Sequence, residues 1–175
     1  MRILHICAAA MIACAALVFS SCDKQEMEHT GDETGTLYGN WELDTKTVDT
    51  QYKSGENGEQ KHEVTDFAGD HFYLSLNENR RAFAKEGSIF TFDIDDVDAV
   101  TYSYNASTKQ ISFEKTMTLS KGFLNPKVMR LSGTYDVKEL TQQKLVLSQE
   151  ENVVINSFNA SMTTVYSFHR LNSGE

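Results

Sequence analysis

A chain of 175 residues can bury one self-sufficient core, and its net charge of −9 repels phosphate backbones, so nucleic acid is excluded as an expected partner. The three cysteines, Cys7, Cys14 and Cys22, all lie near the start, so the chain beyond them has no thiol, disulfide or cysteine-held metal. Thiol redox chemistry and thiol catalysis are excluded there with them.

In chain order, residues 1–21 come first. Arg2 is their one charge, Ile3 to Phe19 are apolar apart from His5, and the small Ser20 and Ser21 precede Cys22. Positive, then apolar, then small is the order of a secretion signal. The apolar run is at the short limit of a membrane span, which leaves an uncleaved anchor as an alternative. Val18-Phe19-Ser20-Ser21-Cys22 resembles the loose lipobox of Bacteroidetes lipoproteins. That resemblance implies cleavage before Cys22 and acylation of it, palmitate included. It also implies attachment to the outer membrane, on the periplasmic or the cell-surface face. An ordinary secretory signal with an incidental cysteine is the other reading.

Residues 22–37 then read as a lipidated cysteine and an acidic tether. Asp23, Glu26, Glu28, Asp32 and Glu33 are interleaved with Gly31 and Gly35, and only Met27 and Leu37 are strongly apolar. Such a composition cannot offset its own ordering entropy, and as a coil it would span roughly 20 Å. Acidic residues soon after the cysteine also resemble a surface-export signal, with a plain solvated linker as the equal alternative.

Residues 38–175 are expected to form one all-β domain. No helical apolar period is sustained, whereas alternation recurs. Phe72, Leu74 and Leu76 alternate with polar neighbours, as do Val100, Tyr102 and Tyr104, then Ile111 and Phe113. Met129, Leu131, Gly133, Tyr135 and Val137 form a longer set, and Met162, Thr164, Tyr166 and Phe168 another. Polar turns are expected at 77–79, 105–108, 141–143 and 149–152, and Pro126 marks a loop with Gly122 and Asn125. Short turns between alternating segments mean antiparallel hairpins. About eight to ten strands follow, in an up-and-down barrel, with a β-sandwich as the alternative.

Three stretches resemble the lipocalin-like lipoproteins of Bacteroidetes, within the calycin group. They are Leu37-Tyr38-Gly39-Asn40-Trp41-Glu42-Leu43, then Gly133-Thr134-Tyr135-Asp136-Val137 with Lys144-Leu145-Val146-Leu147, and the closing Val165-Tyr166-Ser167-Phe168-His169-Arg170. The resemblance implies that Trp41 sits at the closed end of the barrel and that Arg170 packs across it as a structural pair. A guanidinium over an indole face contributes about 0.5–2 kcal/mol. Arg170 shares strand parity with Tyr166 and Phe168, the expected interior face.

That face also contains Phe72, Leu74, Leu76, Phe90, Phe92, Tyr102, Tyr104, Phe113, Met129, Tyr135 and Met162. Apolar walls with a few hydroxyls suit a small apolar or amphipathic ligand. The same residues equally describe a filled core. Two functions are therefore expected. One is a lipid-anchored barrel holding a small molecule. The other is a solid barrel that binds a protein partner, as accessory or inhibitor, through its acidic exterior. No nucleophile elbow, phosphate loop or HExxH pair occurs, so neither enzymatic activity nor a cofactor is expected. Asp93, Asp95, Asp96 and Asp98 lack the glycine and closing glutamate of a calcium loop and read as a solvated turn. His62, Glu63, Asp66, Asp70 and His71 could supply zinc ligands but match no ligand spacing, so they read as loop residues.

Overall fold

The computed structural model describes residues 36–53, 58–87 and 98–171. These contain nine antiparallel strands and, among the described residues, no helix: β1 (Gly39–Tyr52), β2 (Gln60–Asp66), β3 (Phe72–Leu76), β4 (Arg81–Glu86), β5 (Val100–Asn105), β6 (Gln110–Lys121), β7 (Lys127–Leu140), β8 (Lys144–Ile155) and β9 (Phe158–Arg170). From β3 onward each strand pairs with the next, and β9 returns to β1, so the sheet closes into an up-and-down barrel. The closed ring leaves no second sheet, and the sandwich alternative falls. Residues 1–35 and 88–97, with Cys22, Phe90, Phe92, Asp93, Asp95 and Asp96 among them, lie outside the described residues.

Nine strands make eight columns. β3 pairs with the first part of β1, Gly39 to Glu42, while β2 pairs with its later part, Thr45 to Gln51, on the same side. The two are one column interrupted at residues 67–71. At the interruption Asp66 Oδ1 accepts from the Ala68 amide at 2.9 Å, and Gly69 and His71 take positive φ. The Phe67 amide donates to the Asp44 carbonyl at 2.7 Å, opposite a bulge in β1. The chain thereby turns inward, and Phe67 is fully buried with its ring 5.3 Å from that of Phe72.

Alternation built the core as expected. Phe72, Leu74, Leu76, Tyr102, Phe113, Met129, Tyr135, Tyr166 and Phe168 are buried, together with Leu43, Ile111, Leu131, Leu145 and Leu147. Tyr104 is half-buried against this cluster, and Met162 is half-buried. Leu37, expected within the tether, is buried in the core instead, because its carbonyl accepts from the Trp41 indole at 3.0 Å.

One turn is corrected. Gln149-Glu150-Glu151-Asn152 is not a turn, since β8 runs on to Ile155 and stays paired with β9 throughout. These residues are polar because this end of β8 runs past the buried layer, not because the chain reverses. The reversal falls at Asn156 and Ser157, both at positive φ, which suits a two-residue hairpin.

β7 and β8 pair only from Asp136 to Leu140 and then diverge. The backbone of β7 left facing the gap is satisfied by side chains. Tyr166 Oη donates to the Arg130 carbonyl at 2.8 Å and accepts from the Arg130 amide at 3.2 Å. The Gln149 amide donates to the carbonyls of Ser132 and Thr134 at 2.9 and 3.2 Å. A missing ladder is thus replaced by a seam of side chains, as buried backbone groups require.

Candidate functional site

The floor of the barrel is built by the first and last strands. Trp41 and Arg170 face each other across the β1–β9 ladder. The guanidinium lies 4.1 Å from the indole centroid, and Trp41 has no exposed surface. Arg170 Nη1 donates to the Tyr38 carbonyl at 2.5 Å, and Nη2 donates to that of Thr36. Gly39 makes room for this, because a Cβ there would lie 2.3 Å from Nη1, and its φ of +141° suits glycine alone.

The opposite end is stoppered by Phe67. Its loop is held across the mouth by Asp70, which takes Lys127 Nζ at 2.5 Å and Lys121 Nζ at 3.7 Å, from the two strands of the β6–β7 hairpin. Lys127 Nζ also stands 5.9 Å from the Phe67 ring. The hydrogen bond and charge of Lys127, with the charge of Lys121, hold the Asp70 carboxyl below its ordinary value.

Interior hydroxyls, which suited either a ligand or a filled core, are engaged by the protein itself. Tyr102 donates to the Asn77 carbonyl at 2.9 Å, Tyr166 to that of Arg130, and Tyr135 to the same carbonyl at 3.3 Å. Burial raises all three phenols, Tyr135 to about 12. Above this layer the inward-facing Lys46, Val48, Met162 and Thr164 are only half-buried, with Lys46 Nζ 5.6 Å from the Tyr166 ring.

The imidazole–carboxylate concentration seen in the sequence is dispersed. His62 bonds Asp49 at 2.5 Å across the β1–β2 pair, Asp66 caps its own loop, and Asp70 binds the two lysines. His71 instead joins a network that no local spacing marks. Glu42, buried on the outer wall, has Oε1 3.1 Å from His71 Nδ1 and Oε2 3.5 Å from His169 Nε2. His169 Nδ1 in turn lies 2.7 Å from Asp44. Tyr73 Oη is 3.0 Å from His71 Nδ1. Glu42, Asp44, His71 and His169 come from three neighbouring columns and lie up to 127 positions apart, so no local spacing could have announced them. The two imidazoles give a buried carboxylate polar partners. Among the described residues no three His, Cys, Asp or Glu side chains converge as metal ligands.

A groove of about 570 Å³ crosses the outer face where β2, β1, β9 and β8 run beyond the core. Asp49, Lys61, His62, Glu150, Ser161 and Thr163 are among the residues that line it. It is polar, and Glu150 accepts from Ser161 at 2.8 Å within it.

No protein-family model matches this sequence, and no curated protein or solved structure shows a significant similarity to it.

Proposed function

We propose that the chain is a lipid-anchored envelope lipoprotein whose barrel works as a solid protein-interaction module. The observation behind this reading is the occupied interior. From Trp41 and Leu43 through Phe72, Leu74 and Met129 to Phe168, the inward side chains have no exposed surface, and Phe67 fills the space above them. A barrel packed in this way offers its exterior for recognition. The groove holds the carboxylates of Asp49 and Glu150 beside Lys61 and His62, and on a chain of net charge −9 these two carboxylates suit a basic segment of a partner protein. The signal and lipobox resemblance at residues 1–22 support an outer-membrane address with Cys22 acylated. The lipocalin-like kinship remains part of this proposal, resting on the three sequence stretches.

The test is co-purification from the native host at low and high ionic strength. Partner retention is expected to fall steeply with salt, and Asp49→Asn with Glu150→Gln should weaken it at low salt. Native mass spectrometry showing a retained small molecule and no protein would reject the module.

That outcome would favour a second reading, a barrel that carries a small apolar or amphipathic molecule. Its specific support is the half-buried inward face at Val48, Met162 and Thr164, where apolar and hydroxyl groups lie beyond the filled layer.

A further inference from the structure

The five exposed large hydrophobics among the described residues are Val64, Phe123, Leu124, Val154 and Phe158. All belong to the half of the barrel remote from the Trp41–Arg170 floor. Two of them stand apart. Phe123 and Leu124 are 97 % and 87 % exposed and adjacent, at the tip of the β6–β7 hairpin. Gly122, at φ +98°, and Pro126 bracket this tip, and Lys121 and Lys127 form its neck. The two lysines share one carboxylate, Asp70, so the neck keeps a net positive charge.

We propose that this tip is a second membrane contact, with Phe123 and Leu124 dipping into the lipid interface and Lys121 and Lys127 lying at the level of the headgroup phosphates. The inference rests on the proposed lipid anchor. Size decides against a protein pocket as the occupant. Phe and Leu together offer roughly 300–400 Å², whereas a specific protein contact takes about 800 Å² from each partner. A small wedge with cations behind it is sufficient for an interface that needs no shape match. Reach permits it. The chain from Cys22 to Thr36 can span at most about 50 Å. β7, at 14 residues, is about 46 Å along the strand and less along a tilted barrel axis. The membrane that holds Cys22 is therefore accessible to the tip, and the anchor raises the local lipid concentration that so small a wedge requires.

The ring and core close within residues 37–170, so the domain without its signal is a suitable sample. A histidine tag in place of Cys22 holds it on vesicles of phosphatidylethanolamine, phosphatidylglycerol and a nickel-chelating lipid, with brominated acyl chains. Wild type has one indole, the fully buried Trp41, and its emission should not change. Phe123→Trp places a second indole at the tip, and its added emission should fall at least twofold on the brominated vesicles. Leu124→Trp should behave alike and guards against a local fault in the first variant. If neither is quenched while the protein remains on the vesicles, the tip does not enter lipid and the proposal is overturned. The nickel anchor keeps that result separate from the lipidation reading, which labelled palmitate incorporation at Cys22 tests by itself.

Discussion

Replacing Arg170 by alanine removes three contacts at once, and the structure allows their sum to be worked out. The cation over Trp41, at 4.1 Å and in part exposed to solvent, is worth about 0.5–1 kcal/mol. The two donations to the carbonyls of Thr36 and Tyr38 are charge-assisted, and at a partly wet site they contribute about 1 kcal/mol each. The expected loss is therefore about 3 kcal/mol, or roughly 10 °C in Tm for a domain of this size. Urea unfolding followed by Trp41 emission measures both the stability and the local environment. The emission of the folded variant should move to the red, because the only indole loses its cover. Lysine at position 170 can reach one carbonyl and lacks the planar face, so it should recover about 1 kcal/mol. Arg130→Ala is the control: its side chain is exposed, and the bonds at that position are made by its backbone. If Arg170→Ala and the control lose equal stability and share one emission maximum, the floor is not held by this residue.

Further outcomes follow from neighbouring features. Gly39→Ala should cost about 2 kcal/mol or more from backbone strain and the clash with Arg170, and Gly39→Ala with Arg170→Ala should cost less than the sum, as calorimetry of the four proteins would show. Phe67→Ala should cost about 3–5 kcal/mol in urea unfolding, as removal of a fully buried aromatic does. Asp70→Asn should cost about 0.5–1 kcal/mol at pH 7. The Asp70 carboxyl is held low by Lys127 and Lys121, so its contribution is present above about pH 4 and vanishes as pH falls through the folded value. Wild type and variant should then converge once the pH lies below the folded value. Gln149→Ala should speed amide hydrogen exchange along the upper part of β7, near Ser132 and Thr134, more than in the fully laddered β8–β9 hairpin. Tyr135 is raised by burial to about 12, so its neutral form stabilises the fold below about pH 10, and that stability is lost as pH climbs towards 12. Absorbance titration should show this phenol ionising late or together with unfolding.

Alternation was a reliable guide wherever a strand has one wet face and one dry one. β5, β7 and β9 were legible for that reason, whereas in β3 Tyr73, on the face expected to be wet, is buried as well. The meeting of Trp41 with Arg170 was an implication of the lipocalin resemblance, and parity placed Arg170 alone. β2 was not legible. Gln60-Lys61-His62-Glu63 is charged or polar on both faces, and it is a strand because β1 offers it a free edge. The interruption at Phe67 was hidden too, because an aromatic between Asp66 and Ala68-Gly69-Asp70 carries no period. The candidate surfaces were less legible still. Glu42 with His71 and His169 depends on which columns become neighbours, and the groove at Asp49 and Glu150 depends on how far four strands outrun the core. The acidic turn expected at Gln149-Glu150-Glu151-Asn152 failed for the same reason: polarity marked an exposed strand end.

The pairing of β1 with β9 also sets the order in which this molecule can be completed. Among the described strands β1 is made first and β9 last, yet the two share a ladder running from Trp41↔Arg170 to Tyr52↔Ala160. Until Arg170 has emerged, one long edge of β1 has no partner and the indole of Trp41 has no cover. Such contacts are as remote in sequence as the domain allows, which slows folding by the entropy of closing the largest loop. A nascent or truncated chain lacking β9 is thus an open curl of hairpins, with no route to the native ring until its final strand arrives.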